Sequence, residues 1–234
     1  MSKDIKSQYE NLRRKFNGLF LLQGENSEFF IEGTLSFEYD SINCDYDIKL
    51  LIPKAYPDVL PTVWETGGKI ADDFHKYPDK SLCLGAPLQL KLEFYKNPTL
   101  LGFVEKSVCS YLFSHAYSVA HPGSKMPYGE WAHGDEGIFE YYKKYFNTSD
   151  AAIILRLLRY LMVGKYRGHN PCPCGQEVKV RNCHGHLLLP IVNAKYDVRS
   201  DFIRICNALS EKKELNAVLE DKEMLFFIRK LSLK

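Results

Sequence analysis

Cys44-Asp45-Tyr46-Asp47-Ile48-Lys49-Leu50-Leu51-Ile52 alternates with a period of two: Tyr46, Ile48, Leu50 and Ile52 fall on one face, Asp45, Asp47 and Lys49 on the other. A segment with one dry face and one wet face is a strand of a half-buried antiparallel sheet. Working outward, residues 29–37 repeat the pattern, with Phe29, Ile31, Gly33, Leu35 and Phe37 sharing a face. Leu19–Gln23 is a short apolar run, and Val63-Trp64-Glu65 reads as a fourth strand. Four strands in succession predict an antiparallel meander. Ahead of it, residues 3–16 space Ile5, Tyr9, Leu12 and Phe16 by four, three and four, the apolar stripe of an amphipathic helix that Gly18 would end.

Downstream of the fourth strand the pattern changes. Residues 67–96 hold no sustained period and read as a long ordered loop carrying Cys83, in which Leu82, Leu84, Leu88, Leu90 and Leu92 supply anchors. A helix is predicted to open at Asn97 as cap, with Pro98 at its first position and Leu100, Val104, Val108, Tyr111 and Leu112 as its buried stripe. Residues 122–135 are a Gly-, Pro- and His-containing loop. Helices follow over 137–146 and 150–163, the second with Ile153, Ile154, Leu157, Leu158 and Leu161 on its apolar side. The tail from 201 to 234 reads as helical. The fold class is α+β, with a first domain over residues 1–147 and a helical second region over 148–234.

Composition narrows the function classes. The chain has 234 residues, 45% hydrophobic and 26% charged, as in ordinary globular proteins. Its formal net charge of +2 is too small to make nucleic acid or a membrane surface the expected partner. No apolar run approaches the ~20 residues that span a bilayer. The opening Met1-Ser2-Lys3-Asp4-Ile5-Lys6 lacks a signal-peptide core, so a cytoplasmic location is expected. In that compartment seven cysteines, an odd number, point to metal binding or catalysis before disulfides.

Cys83, in Ser81-Leu82-Cys83-Leu84, follows a segment stiffened by Tyr56-Pro57 and Leu60-Pro61. On physical grounds it has two readings: a reachable thiol at the end of an extended loop, or a structural cysteine between leucines. Pro53-Lys54-Ala55-Tyr56-Pro57-Asp58-Val59-Leu60-Pro61-Thr62-Val63-Trp64 resembles the proline-rich turn of ubiquitin-conjugating enzymes. Ile70 and the later Ser-Leu-Cys-Leu resemble their active-site loop. The order of helix, meander and helix at Asn97-Pro98-Thr99-Leu100 is similar too, over residues 3–117.

The resemblance implies that Cys83 accepts the C-terminal acyl group of a carrier protein as a thioester and passes it to an amine. That chemistry needs a thiolate and donors for an oxyanion. The family's His-Pro-Asn tripeptide is absent; Ala71-Asp72-Asp73-Phe74-His75 stands in that region. His75 is therefore the candidate to move a proton, its alternative being a loop histidine bound to backbone. Asp79 is the candidate to orient the amine, its alternative being an ordinary turn residue. His115, His121 and His133 are later histidines that could fold back. Glu130 and Trp131 read as structural, and Cys44, Cys109 and Cys206 as packing residues.

Asn170-Pro171-Cys172-Pro173-Cys174-Gly175 is followed, with eight residues between Cys174 and Cys183, by Cys183-His184. Three thiolates and an imidazole suit a closed tetrahedral zinc site, with His186 as rival fourth ligand. The spacing resembles the SEC-C motif over about residues 168–186. Its implied cofactor is a structural Zn2+, which in zinc-finger peptides contributes roughly 10–16 kcal/mol of folding energy. Lys165, Arg167, Lys179 and Arg181 make this segment basic.

The expected function is thus that of a ubiquitin-conjugating-like cysteine acyltransferase of a bacterial antiphage or conjugation operon. The implied partners are a ubiquitin-like protein or the C-terminus of a nucleotidyltransferase, with an activating enzyme upstream. Two alternatives stand beside it: a non-catalytic module using the same fold and the knuckle as a docking surface, and a hydrolase pairing Cys83 with His115 or His133.

Overall fold

The computed structural model describes residues 2–24, 28–125, 134–215 and 222–232. The chain is α+β and divides into two compact units, Met1–Gly85 with Glu93–Trp131, and Ala86–Leu92 with Ala132–Lys234. Among the described residues no helix is long and apolar enough to cross a membrane.

In the first unit α1 (Ser2–Lys15) precedes an antiparallel sheet of β1 (Leu19–Gln23), β2 (Phe29–Tyr39), β3 (Ile42–Ile52) and β4 (Thr62–Glu65), in that spatial order. The register follows the alternation: Ile31 pairs Leu50, Leu35 pairs Tyr46 and Leu50 pairs Val63, so the buried residues of neighbouring strands stand side by side. Tyr46, Ile48, Leu50 and Ile52 are all buried, with Ile5, Tyr9, Leu12 and Phe16 of the α1 stripe. Gly33 on β2 takes φ of 133°, and a Cβ there would clash with the Gly18 carbonyl oxygen, so only glycine fits at this position.

The loop after β4 is not all loop. Residues 67–96 end in a helix, α2 (Pro87–Lys96), that the sequence reading missed. Leu88 and Phe94 are buried, but the third buried position is Lys91, 2% exposed, and a lysine in the stripe erases the apolar period. Pro87 at the first position and Leu90 N donating to Ala86 O open the helix normally. The next helix begins later than expected. Its cap is Thr99, whose hydroxyl accepts from Gly102 N at 3.0 Å, and not Asn97. From there α3 (Leu100–Phe103), a π-helical turn (Val104–Val108) and α4 (Cys109–Ala120) run on together, burying Leu100, Val104, Val108, Tyr111 and Leu112. Gln8 of α1 joins three parts: its Oε1 accepts from Tyr56 Oη and from Leu100 N, both at 2.8 Å.

The second unit is helical: α5 (Gly134–Phe146), α6 (Ala151–Val163), the short α7 (Gly185–Leu188), α8 (Lys195–Glu211) and α9 (Lys222–Ser232). Asp150 caps α6, its carboxylate accepting from Ala152 N and Ile153 N at 2.8 and 3.2 Å. Ile154, Leu157, Leu158 and Leu161 of α6 meet Phe139 and Tyr142 of α5 and Val198, Phe202 and Ile205 of α8 in one core.

One buried polar group stands inside that core. Asp201 of α8 is wholly buried, and its Oδ2 accepts from Tyr142 Oη at 3.0 Å. Burial pushes its carboxyl up to about 7. Because the folded state holds the proton more tightly than the unfolded chain, this group's contribution is intact below the unfolded carboxylate value of about 4. It is lost as pH rises through the folded value. At ~1.4 kcal/mol per pKa unit the loss amounts to a few kcal/mol. Asp201→Asn is therefore expected to gain on the native sequence as pH is raised from about 4 to about 8. Denaturant midpoints followed by circular dichroism measure this, and a pH-independent difference would refute it.

Candidate thiol site and metal centre

His75 and Cys83 sit on the two arms of a small hairpin. Lys80 N donates to Tyr77 O at 2.9 Å, Tyr77 N donates to Ser81 O at 2.8 Å, and Lys80 takes a φ of 65°. A turn led by Pro78 and closed by a left-handed residue is a common three-residue hairpin loop. Asp79 is built into it: its Oδ1 accepts from Ser81 N at 3.1 Å and Ser81 Oγ at 2.6 Å. Below the turn Lys76 and Leu82 form an antiparallel bridge, and Cys83 N donates to His75 O at 2.8 Å. Two residues eight apart in sequence thus lie opposite each other.

The hairpin is anchored to the sheet. Leu82 N donates to Val63 O at 2.7 Å, and Trp64 Nε1 donates to Asp79 O at 3.1 Å. Leu82 and Leu84 are both buried while Cys83 between them is half-buried, the alternation of an extended chain lying on a core. His75 takes φ of 44°, a conformation uncommon outside glycine and one that enriches at functional sites. Its carbonyl also accepts from Tyr111 Oη at 3.2 Å, and the same hydroxyl reaches Phe74 O at 2.9 Å. Burial, and then the nearby Cys83 sulfur, raise the Tyr111 phenol above its ordinary range, so it stays a donor. Tyr111 was legible only as an apolar stripe residue; the main-chain oxygens that its hydroxyl meets lie 36 and 37 positions earlier.

The other candidates are used elsewhere. His115 is buried; its Nδ1 shares a 2.7 Å hydrogen bond with the Tyr46 hydroxyl, and its ring packs edge-on against Phe74. Burial lowers its pKa, leaving it neutral near pH 7. His121 is exposed and stacks on Tyr117 at 4.4 Å. Glu130, Trp131 and His133 lie outside the described residues. Burial raises the thiols of Cys44 to about 11, and of Cys109 and Cys206 to about 12, which keeps them un-ionised.

The second site belongs to the helical unit. A short ribbon pairs Pro171 with Lys179, through Cys172 N to Val178 O at 2.8 Å and Val180 N to Asn170 O at 2.9 Å. Gly175, at φ of 91°, turns the chain between the arms. The segment then winds through Val180–Asn182, and Cys183 and His184 enter α7. Cys172, Cys174, Cys183 and His184 present ligand atoms that all lie within 4.8 Å of one another. Cys174 Sγ is 3.6 Å from Cys183 Sγ, and Cys172 Sγ is 3.4 Å from His184 Nδ1. Tetrahedral zinc with Zn–S of about 2.3 Å and Zn–N of about 2.0 Å implies separations of about 3.8 and 3.5 Å. The donor set fits. Burial, and then His186, lower the His184 pKa, favouring the neutral imidazole that ligates. The rival His186 points its Nδ1 at Cys183 O, 3.0 Å away.

Cys172, Cys174, Val180, Leu188 and Ile191 are part of the same core as α5, α6 and α8, and Tyr145 Oη donates to Leu187 O at 2.7 Å. The knuckle is thus a wall of the helical unit. No protein-family model matches the chain, and a search of curated proteins finds no match.

Protein purified without added metal is expected to carry about one zinc per chain, as a four-ligand site binds one ion. Cys183→Ser should lose it and melt lower, whereas His186→Ala should keep both metal and melting point. Elemental analysis with thermal denaturation decides, and native protein free of zinc would refute the site.

Proposed function

We propose that the chain is a ubiquitin-conjugating-like acyl carrier in which Cys83 holds a partner's C-terminus as a thioester. The observation that carries this reading is the half-exposed Cys83 set opposite His75 on a hairpin anchored by buried leucines. The α+β order of helix, four-stranded meander, loop and helix is consistent with the same reading.

In the proposed reaction the Cys83 thiolate attacks the carbonyl carbon of a carrier already activated as a thioester on its activating enzyme. A new C–S bond forms and the enzyme's thiolate leaves. An amine then attacks the Cys83 thioester, the C–S bond breaks, and the sulfur departs as thiolate. The amine's surplus proton needs an acceptor. His75 is the candidate across the hairpin, and the exposed Asp79 is the candidate for orienting the amine. Zn2+ on the four-ligand knuckle would have a structural role, since protein groups fill every position.

One observation favours a second reading, a non-catalytic binding module. The Cys83 N–H is spent on His75 O, so it is not available as an oxyanion donor in this conformation, and the chain has no Asn in the family's tripeptide position.

Incubation with an activating enzyme and carrier is expected to give a thiol-sensitive adduct, lost in Cys83→Ala and thiol-resistant in Cys83→Ser. Adduct persisting in Cys83→Ala would sink the acyl-carrier reading. His75→Gly keeps the positive φ without strain. The same variant should still load but transfer about 100-fold more slowly if His75 moves the proton. Unchanged single-turnover transfer would remove His75 from the mechanism.

A further inference from the structure

The helical unit contains a cavity of about 500 Å3 that neither the thiol chemistry nor the zinc knuckle uses. Arg156, Arg159, Lys165 and Arg167 line it, with Tyr160 and Asn170. Four cations face this space, and among the described residues no lining residue is acidic. Arg156 and Arg159 stand three apart on α6, on the side away from the buried Ile154, Leu157 and Leu158. Tyr160 ties the chain after α6 back to that helix: its hydroxyl accepts from Arg167 N and donates to Arg167 O, both at 2.8 Å. Pro173, between two of the zinc-type ligands, closes the floor.

The end of a helix attracts cations through its unpaired carbonyls, which offers a structural reason for a basic residue here. That role is taken: Lys195 Nζ donates to Gly164 O at 3.0 Å, at the C-cap of α6. Arg159 is also engaged, its guanidinium lying 5.3 Å over the Phe227 ring. Arg156, Lys165 and Arg167 have no carboxylate within ion-pair distance among the described residues. Three cations with no ion-pair partner among the described residues, lining one concave space, raise the local positive potential far more than the same charges scattered over a surface.

We propose that this cavity binds a small ligand carrying two or more linked phosphate groups. Guanidinium forks match phosphate oxygens bidentately, and Lys165 adds a point charge. The volume is that of a small-molecule site. A nucleic-acid strand would instead need a basic track along the surface, which the net charge of +2 does not favour.

The test uses the full-length, zinc-loaded protein and isothermal titration calorimetry at physiological salt, with inorganic tripolyphosphate and ATP as probes and single-stranded RNA as competitor. Saturable binding of tripolyphosphate at micromolar to low-millimolar concentration is expected. Equal affinity for ATP would assign recognition to the phosphate chain alone, and tighter ATP would add a contact to the base; both support the site. Lys165→Gln and Arg167→Gln alter exposed side chains and should melt like the native protein. Together they should weaken tripolyphosphate at least about 10-fold, the loss expected for charge-assisted contacts. Arg156→Gln should do the same alone. No saturable binding, or binding that the variants leave unchanged, overturns the proposal. So does RNA that displaces tripolyphosphate at equal phosphate concentration while binding more tightly.

Discussion

Everything in the first unit depends on the dry face of β3. Tyr46, Ile48, Leu50 and Ile52 are buried in alternation, and at roughly 1.5–3 kcal/mol for each large apolar side chain this stripe is worth more than any single polar contact nearby. A strand with such a face must pair on both edges and be covered. β2 and β4 take the edges, and α4 packs over the stripe. Tyr46 adds a polar lock, its hydroxyl held by His115 of α4. Pairing register is thereby set, because a slip of one residue would turn the stripe outward.

The thiol hairpin inherits its position from this framework. β4 ends in Glu65, a buried carboxylate whose two oxygens accept from Lys69 N and Ile70 N at 3.2 and 3.3 Å. The chain is turned there, and Leu82 N returns to Val63 O. Main-chain hydrogen bonds fix the hairpin, buried leucines hold one side of it, and Cys83 is left between them with partial access to solvent. A thiol placed by backbone on a rigid sheet needs little reorganisation, which is what the proposed thioester step would require. Asp79 closes the turn, its Oδ1 accepting from Ser81 N and Ser81 Oγ.

The helical unit applies a different economy. Its knuckle contributes Val180, Leu188 and Ile191 to the common core, so metal binding and helix packing would stabilise the same object. The ion would draw together chain ends that helix packing has already brought near. On the outer side of α6 the same geometry gathers arginines, because a helix whose inner face is wholly apolar has only its outer face for charge.

How much of this was legible in the chain depends on the reach of each pattern. Alternation over nine residues specified β3 and its face, because a strand's side chains must alternate whatever surrounds it. The α1 stripe, the apolar side of α6 and the cysteine spacing were local signals of the same kind. α2 was hidden because a buried lysine occupies a stripe position, a choice that only the surrounding core can make tolerable. The Thr99 cap displaced Asn97 because both residues can cap, and packing of Leu100 against α1 selects between them. Local spacing by itself therefore marked the four strands, most of the helices and the Cys/His cluster, but not α2. Tertiary structure alone decided that His75 stands across from Cys83, that Tyr111 holds the His75 carbonyl, that His186 is turned away from the sulfurs, and that four cations share one cavity. Those relations join residues through space, and no periodicity within a segment can encode them.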